Sequence, residues 1–263
     1  VEIGIQIGII EIMLLKNIGK TKQALLGGLG GLWAAAVTAG FALGKPPVPG
    51  GRRLPHWVAL GSSGLLTVIG WGWRRALRNG PAADYATHIA TGMTFGAAGD
   101  VLLPMSVPAG MAAFAVGHVA YVRGLLRLQR QQGLRSRPII YGVWGLWLGA
   151  AVAGWYAVVW RSPKGATALG WAGLGYSLLL ASTCALTWST ALQNRRYWPL
   201  ALGGTLFLLS DLVIAMRMFN PPLFAAIPEA VRGDLVWLTY APAQALLVHS
   251  IPLAAAVFED QPA

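Results

Sequence analysis

The sequence predicts an all-α integral membrane protein that folds as an eight-transmembrane-helix bundle. Three observations support this prediction. Of the 263 residues, 56% are hydrophobic and only 11% are charged, whereas a soluble domain carries about 25% charged residues. Several apolar stretches also reach about 18 residues or more, the length that crosses the hydrocarbon core as a helix. Together these features exclude soluble globular folds.

Eight predicted spans follow one another along the chain, separated by short loops that contain proline, glycine and basic residues. The proline-rich loop 44–51 separates the first two spans, and Asn220-Pro221-Pro222 closes the seventh. The predicted spans cover residues 24–43, 56–73, 87–104, 108–128, 138–160, 167–190, 198–218 and 235–257.

The segment before the first span is predicted to be an N-terminal interfacial segment or a tail, over residues 1–23. Its apolar part is short and Glu11 interrupts it, so it does not resemble a span. It also lacks the basic start and the small-residue cleavage site of a signal peptide. The predicted organisation is therefore this segment, one transmembrane domain over 24–257 and a C-terminal tail over 258–263.

Basic residues outnumber acidic ones, 20 to 9, which gives a net charge of +11. In a soluble chain this balance would suggest nucleic acid as a partner. Here the basic residues lie mostly in loops between apolar spans, where they meet anionic headgroups, so membrane lipids are the expected partners and nucleic acid is not. Thirteen of the twenty lie in the N-terminus and the even-to-odd loops. The positive-inside rule then predicts a bacterial-type plasma membrane protein with both termini in the cytoplasm.

Two segments of the chain form a weak internal repeat. The stretch from Gly92 to Asp100 aligns with the stretch from Gly203 to Asp211, and a threonine follows each glycine at the same offset. The two copies lie in the third and seventh predicted spans, which favours a four-plus-four arrangement. Chance similarity between two apolar helices is the alternative.

Asp100 and Asp211 are the only acidic residues inside predicted spans. An aspartate at the centre of a membrane helix costs about 2.5 to 3.5 kcal/mol on insertion scales, so such residues face the bundle interior or a wet cavity. The nearest basic residues, Arg123 and Arg217, lie at span ends. A pair of carboxyls that share a proton is therefore favoured over ion pairs, with simple interhelical packing as the other alternative.

Polar pairs on two further spans are expected to line the same site. His118 and Tyr121 are three residues apart on the fourth span, and Tyr240 and Gln244 are four apart on the eighth. These spacings place each pair on one helix face. The alternative for His118 is an ordinary hydrogen-bonded core residue.

Motifs for other chemistries are absent from the sequence. No pair of histidines has the spacing of a zinc site, so neither a metal nor a cofactor is predicted. A phosphate-binding glycine loop and the Gly-x-Ser-x-Gly motif of serine hydrolases are absent as well.

Four motifs taken together resemble the YhhN-like lysoplasmalogenase family over residues 87–257. They are Gly99-Asp100, Gly117-His118-Val119-Ala120-Tyr121, Leu208-Leu209-Ser210-Asp211 and Thr239-Tyr240-Ala241-Pro242-Ala243-Gln244. The chain departs from the family at the start of the second span. Where the family carries a Lys-Pro pair, Lys45-Pro46 comes too early, and Arg53-Leu54-Pro55 is only a loose substitute.

The resemblance implies a function. The chain is similar to proteins that hydrolyse the vinyl ether bond of lysoplasmalogens, releasing a fatty aldehyde and a glycerophospho-alcohol. The resemblance implies that Asp100 and Asp211 are the catalytic residues. The other polar residues would bind the lysophospholipid substrate and orient water: His118, Tyr121, Tyr240 and Gln244. A proton-coupled transporter or lipid-handling protein that uses the same aspartates is the alternative. A purely structural membrane subunit would explain neither aspartate.

Overall fold

The computed structural model describes residues 19–46 and 51–260, and within these ranges the chain is helical with no strand. The all-α prediction is confirmed. Most of the predicted segment 1–23 lies outside the described residues, as do loop residues 47–50 and the last three residues of the chain.

Eight helices of the described chain are 19 residues or longer, and two short ones precede the last. The long helices are α1 (Lys20–Leu43), α2 (His56–Ala76), α3 (Pro81–Leu102), α4 (Val107–Gln131), α5 (Arg137–Trp155), α6 (Ala168–Gln193), α7 (Trp198–Phe219) and α10 (Leu235–Glu259). The short ones are α8 (Pro221–Ala225) and α9 (Glu229–Arg232), and a π-helical turn (Tyr156–Trp160) continues α5.

Six helical segments are long and apolar enough to cross a membrane, which supports an integral membrane protein. They include α1, α4, α5, α6, α7 and α10. The two remaining long helices, α2 and α3, carry more polar residues, among them Ser63 and Asp100. The eight-span count and the four-plus-four repeat therefore stay predictions.

Helix α10 is the central element of the bundle, because most of its length is buried and it packs against α2, α3 and α7. Helices α1 and α5 bury few residues and lie at the periphery. Helix α4 packs against α3 and α6, and α7 packs against α6. The buried polar side chains of the helices packed around α10 thereby lie in the interior of the bundle.

The helix boundaries differ from the predicted ones in an informative way. Helix α3 begins at Pro81, six residues before the predicted span, because a proline suits the first turn of a helix and Asp84 lies in that turn. It ends at Leu102, just before Pro104, so Asp100 lies in its last turn. Asp211 lies about two turns before the end of α7. The two aspartates are thus not equivalent in their helices.

Three ion pairs join loop and terminal segments that the sequence assigns to the same membrane side. Arg53 Nε lies 2.6 Å from an oxygen of Asp234 at one end of the bundle. Arg127 pairs with Asp84 at 2.7 Å, and Arg196 pairs with Asp260 at 2.6 Å. Each pair joins segments that are predicted to lie on the same side of the membrane, so the pairs agree with the predicted alternation of the loops between two sides. Which of the two sides faces the cytoplasm stays a prediction.

Candidate active site

Asp100 belongs to a closed ring of hydrogen-bonding groups from α2, α3 and α10. Ser63 Oγ contacts Asp100 Oδ2, and the Tyr240 hydroxyl donates to the same oxygen at 3.2 Å. Gln244 Nε2 donates to the Tyr240 hydroxyl oxygen at 2.6 Å, and Gln244 Oε1 lies 3.3 Å from Ser63 Oγ. Apart from Asp100, which is partly exposed, the members of the ring are buried.

Proton counting distinguishes two states of this ring. The Ser63 hydroxyl has one proton but contacts two acceptor oxygens, one on Asp100 and one on Gln244. If Asp100 is ionised and takes that proton, Gln244 Oε1 has no donor within the ring. If Asp100 carries a proton and donates a hydrogen bond to Ser63, each of the four groups donates to the next one around the ring. Ser63 then donates to Gln244, Gln244 to Tyr240 and Tyr240 to Asp100. Since a buried polar group without a partner costs about 1–3 kcal/mol, the ring favours a protonated Asp100.

Asp211 lies in a different environment, on the wall of a cavity between α4, α5, α6 and α7. The Tyr176 hydroxyl donates to Asp211 Oδ2 at 2.6 Å, and Ser210 Oγ lies 3.2 Å from Oδ1. The cavity has a volume of about 160 Å³. Apart from Asp211, Tyr176 and Ser177 it is lined by apolar side chains and glycines. A carboxyl group thus opens onto space that suits a hydrocarbon chain.

His118 lies on α4, which packs against α3 and α6, and it is almost fully buried, with 1% of its surface exposed. Its Nδ1 lies 3.0 Å from Thr183 Oγ1, and the Thr183 hydroxyl is directed at the carbonyl of Leu179, 3.4 Å away. When the Thr183 hydroxyl donates to this carbonyl, Nδ1–H can donate to Thr183 Oγ1. In that tautomer Nε2 is an acceptor with no hydrogen-bond partner among the described residues.

Aromatic rings connect the two carboxyl environments. The His118 ring packs edge-on against Tyr176 and Phe207, with centroids 5.9 and 4.8 Å away. Phe207 in turn packs against Tyr240 at 5.1 Å. Tyr176 contacts Asp211 and Tyr240 contacts Asp100. Three successive ring contacts, Tyr176–His118, His118–Phe207 and Phe207–Tyr240, therefore join the residues that bond the two carboxyls.

The structure brings the six residues singled out from the sequence into this region, although their contacts differ. Tyr240 and Gln244 bond directly within the Asp100 ring. The Tyr121 hydroxyl instead donates to the sulfur of Met93 at 3.2 Å and reaches neither carboxyl. Its ring packs edge-on against His118, 5.7 Å between centroids, which makes it a support for the imidazole.

Sequence reasoning missed two direct partners of the carboxyls, Ser63 and Tyr176. Ser63 could have been noticed because Ser62-Ser63 is a pair of hydroxyl residues within an otherwise apolar stretch. Tyr176 lies among leucines and glycines, and nothing in its spacing indicates that it faces Asp211. Only the packing of α6 against α7 brings it there.

Among residues 19–46 and 51–260, no three histidine, cysteine, aspartate or glutamate side chains are grouped to hold a metal ion. The two carboxyls have hydroxyl and amide neighbours instead. This donor set suits proton transfer.

Comparison with known proteins gives one match. A protein-family model described as the YhhN family matches residues 59–251, well over half of the chain. The matched stretch runs from the first turn of α2 into α10 and includes all the site residues described above. No curated protein and no solved structure matches the chain.

Proposed function

The chain belongs to the YhhN family, and on that premise we propose that it hydrolyses the vinyl ether bond of lysoplasmalogens within the membrane. The observation that carries the proposal is the pair of carboxyls joined by these aromatic contacts, one of which opens onto an apolar cavity. The single alkenyl chain of a lysoplasmalogen suits such a cavity, and its vinyl ether needs an acid. Both requirements meet at Asp211 and Asp100.

The proposed reaction begins with proton transfer to carbon. The acid protonates the vinyl carbon farther from oxygen, and the π electrons of the double bond form the new C–H bond. The resulting oxocarbenium ion takes a water molecule at its other carbon and becomes a hemiacetal as that water loses a proton. Collapse of the hemiacetal breaks the bond to the glycerol oxygen, which takes a proton. The products are a fatty aldehyde and a glycerophospho-alcohol, and one water is consumed.

The two carboxyls divide the roles in this proposal. Asp100 is the acid, which the hydrogen-bond ring supports because the ring is complete only when Asp100 holds a proton. Asp211 is the carboxylate that stabilises the oxocarbenium ion from the cavity wall and accepts the proton of the attacking water. Pairs of carboxyls in different environments divide acid and base roles in this way in other hydrolases. His118 Nε2, which has no hydrogen-bond partner in the described part of the chain, orients that water.

A proton-coupled transporter or lipid-handling protein is the second candidate, and one observation favours it. Pro242 lies inside α10 between Tyr240 and Gln244, the two α10 partners in the Asp100 ring. A proline inside a helix removes a backbone hydrogen bond and allows bending. Bending at this position would change the surroundings of Asp100, as a transport cycle requires.

Aldehyde release separates the two candidates. Purified protein in lipid nanodiscs is supplied with an alkenyl lysophospholipid and, as the matched control, with the alkyl analogue that lacks only the double bond. The proposal expects aldehyde from the first and none from the second, because only the vinyl carbon can be protonated. No aldehyde from either, together with proton-dependent lysolipid uptake in sealed vesicles, would establish the transporter instead.

Tyr176→Phe is expected to slow hydrolysis about 10-fold to 100-fold. The substitution removes the hydroxyl that donates to Asp211 at 2.6 Å, and a hydrogen bond to a charged group is worth about 1.5–3 kcal/mol. The initial rate of aldehyde release measures the effect. Tyr156→Phe is the matched control, because Tyr156 is 53% exposed and away from the carboxyls. Equal rates for the two variants would remove Tyr176 from the proposed mechanism.

A further inference from the structure

Two consecutive arginines in the loop before α2 have different environments. Arg53 forms an ion pair with Asp234, the residue before α10. Its backbone N–H and its Nε each donate to one oxygen of that carboxylate at 2.6 Å, and Asp234 is 1% exposed. The charge of Arg53 is thus neutralised, and the pair fastens the loop to the start of α10.

Arg52 is differently placed. It forms no ion pair among the described residues, and its guanidinium carbon lies 5.9 Å over the centroid of the Trp237 ring. Its Nη2 lies 3.3 Å from His56 Nδ1. Burial lowers the pKa of Arg52, the charge of Asp234 raises it and the charge of Arg217 lowers it. Arg52 is therefore a partly desolvated cation held over an aromatic ring.

Arg217 adds a second uncompensated charge to this corner of the bundle. It lies in the last turn of α7, is exposed, and forms no ion pair or hydrogen bond among the described residues. Its charge nevertheless reaches Arg52. Asp234 attracts Arg52 more strongly than Arg217 repels it, but both carboxylate oxygens of Asp234 are bonded to Arg53. The guanidinium of Arg52 is thus left without a directly bonded anion among the described residues, and a phosphate group could bond it there.

This corner is physically connected to the candidate active site. Trp237, beneath Arg52, packs edge-on against Tyr240 with the centroids 5.3 Å apart. Tyr240 donates its hydroxyl proton to Asp100. One aromatic pair and one hydrogen bond therefore separate Arg52 from the proposed acid.

We propose that Arg52 binds the phosphate of a lysophospholipid headgroup through its guanidinium, which lies over the Trp237 ring. A guanidinium binds phosphate oxygens through two parallel hydrogen bonds, which favours arginine for this role. This inference rests on the proposed function, because it assigns the headgroup position of the same substrate. The site would select lysophospholipids over neutral alkenylglycerols.

Steady-state kinetics in phosphatidylcholine nanodiscs test the assignment. The substrates are an alkenyl lysophospholipid and 1-alkenylglycerol, which keeps the vinyl ether but lacks phosphate. Arg52→Gln is expected to raise KM for the phosphate substrate about 10-fold or more while kcat changes less than about twofold. The same variant should hydrolyse alkenylglycerol like the unaltered protein. Arg52→Lys, which keeps the charge but loses the paired hydrogen bonds, is expected to fall between the two.

Arg161→Gln is the matched control, because this substitution removes the same charge as Arg52→Gln. Arg161 is exposed and follows the π-helical turn after α5, on the membrane side to which the sequence also assigns Arg52. Thermal unfolding of all variants shows whether the loop remains folded. Identical KM values for Arg52→Gln and Arg161→Gln would overturn the phosphate site. So would an equal loss with both substrates, since alkenylglycerol has no phosphate to recognise.

A binding measurement keeps this inference separable from the proposed function. Isothermal titration calorimetry with the alkyl lysophospholipid, which cannot be hydrolysed by this route, reports binding alone. If the unaltered protein releases no aldehyde but binds this lipid with a Kd that Arg52→Gln raises about 10-fold or more, the hydrolase proposal fails and the phosphate site stands. If aldehyde is released and Arg52→Gln changes neither KM nor Kd, the phosphate site fails and the hydrolase proposal stands.

Discussion

Replacing Asp100 or Asp211 with asparagine is expected to lower the rate of vinyl ether hydrolysis by about 10²-fold to 10⁴-fold in each case, the contribution of a positioned acid or base. Asparagine keeps the size and the hydrogen-bonding capacity of the side chain but can neither release a proton nor carry a negative charge. In Asp100→Asn, the vinyl carbon of the substrate has no acid to protonate it. In Asp211→Asn, the oxocarbenium ion forms beside a neutral amide.

The measurement is aldehyde release from purified variants in nanodiscs, together with thermal unfolding in detergent. Asp260→Asn provides the control, because Asp260 forms an exposed ion pair with Arg196, and exposed pairs contribute little to stability. We expect this control to retain full activity. A variant at Asp100 or Asp211 that folds and hydrolyses at the unaltered rate would disprove the two-carboxyl mechanism.

Infrared spectroscopy tests which carboxyl holds the proton. A protonated carboxyl group has a C=O stretching band that an ionised carboxylate lacks. The hydrogen-bond ring of Ser63, Tyr240 and Gln244 is complete only when Asp100 holds that proton, so the proposal assigns it to Asp100. Asp100→Asn should therefore lose the band, and Asp211→Asn should keep it. Loss of the band in Asp211→Asn alone would reverse the two roles and leave the pair itself intact.

The sequence identifies those site residues whose charge is costly to bury in a membrane. Asp100 and Asp211 stood out because an acidic residue in an apolar span needs an interior partner, and the helical spacing of Tyr240 and Gln244 indicated one face of α10. Both inferences need only local information. The structure agrees with them, since Tyr240 bonds Asp100 and Gln244 bonds Tyr240.

The remaining partners could not be read from the sequence for a physical reason. Hydroxyl groups cost little to place in a membrane helix, because they can bond a backbone carbonyl of their own helix, as Thr67 does with Ser63 O at 2.9 Å. A serine therefore carries no signal of its function until its neighbours are known. A tyrosine has an apolar ring that suits the membrane interior, so its sequence position does not show what its hydroxyl contacts. Ser63 and Tyr176 acquire their roles through the packing of α2 and α6 against other helices.

The same limit applies to the two arginines before α2. From the sequence, Arg53 looked like a loose substitute for a lysine at the start of this helix. In the structure it pairs with Asp234, whereas its neighbour Arg52 forms no ion pair within the part of the chain that the structure describes. Adjacent residues of one type can thus differ in their ionic partners, because an acceptor 181 positions away bonds only one of them.

Gly92→Ala is expected to destabilise the bundle by about 1–3 kcal/mol, the cost of overpacking a filled core. A Cβ at this position of α3 would lie 2.1 Å from a ring carbon of Tyr121 on α4. The Tyr121 ring is 1% exposed and packs edge-on against His118, so it has no free space to move into. For a chain of this size, the midpoint of thermal unfolding should fall by about 3–10 °C.

Gly145→Ala is the matched control, because Gly145 is a helical glycine on α5 with nothing within 4 Å of its Cβ position. Alanine has the higher helix propensity, so this control should keep or slightly raise the unfolding midpoint. Equal midpoints for the two variants would show that Tyr121 yields freely and that α3 and α4 are not tightly packed. If Gly92→Ala lowers the midpoint as expected, hydrolysis should also slow at temperatures well below it, since displacing the Tyr121 ring moves the support of His118. A loss of stability without any loss of rate would show that the imidazole is not held by Tyr121.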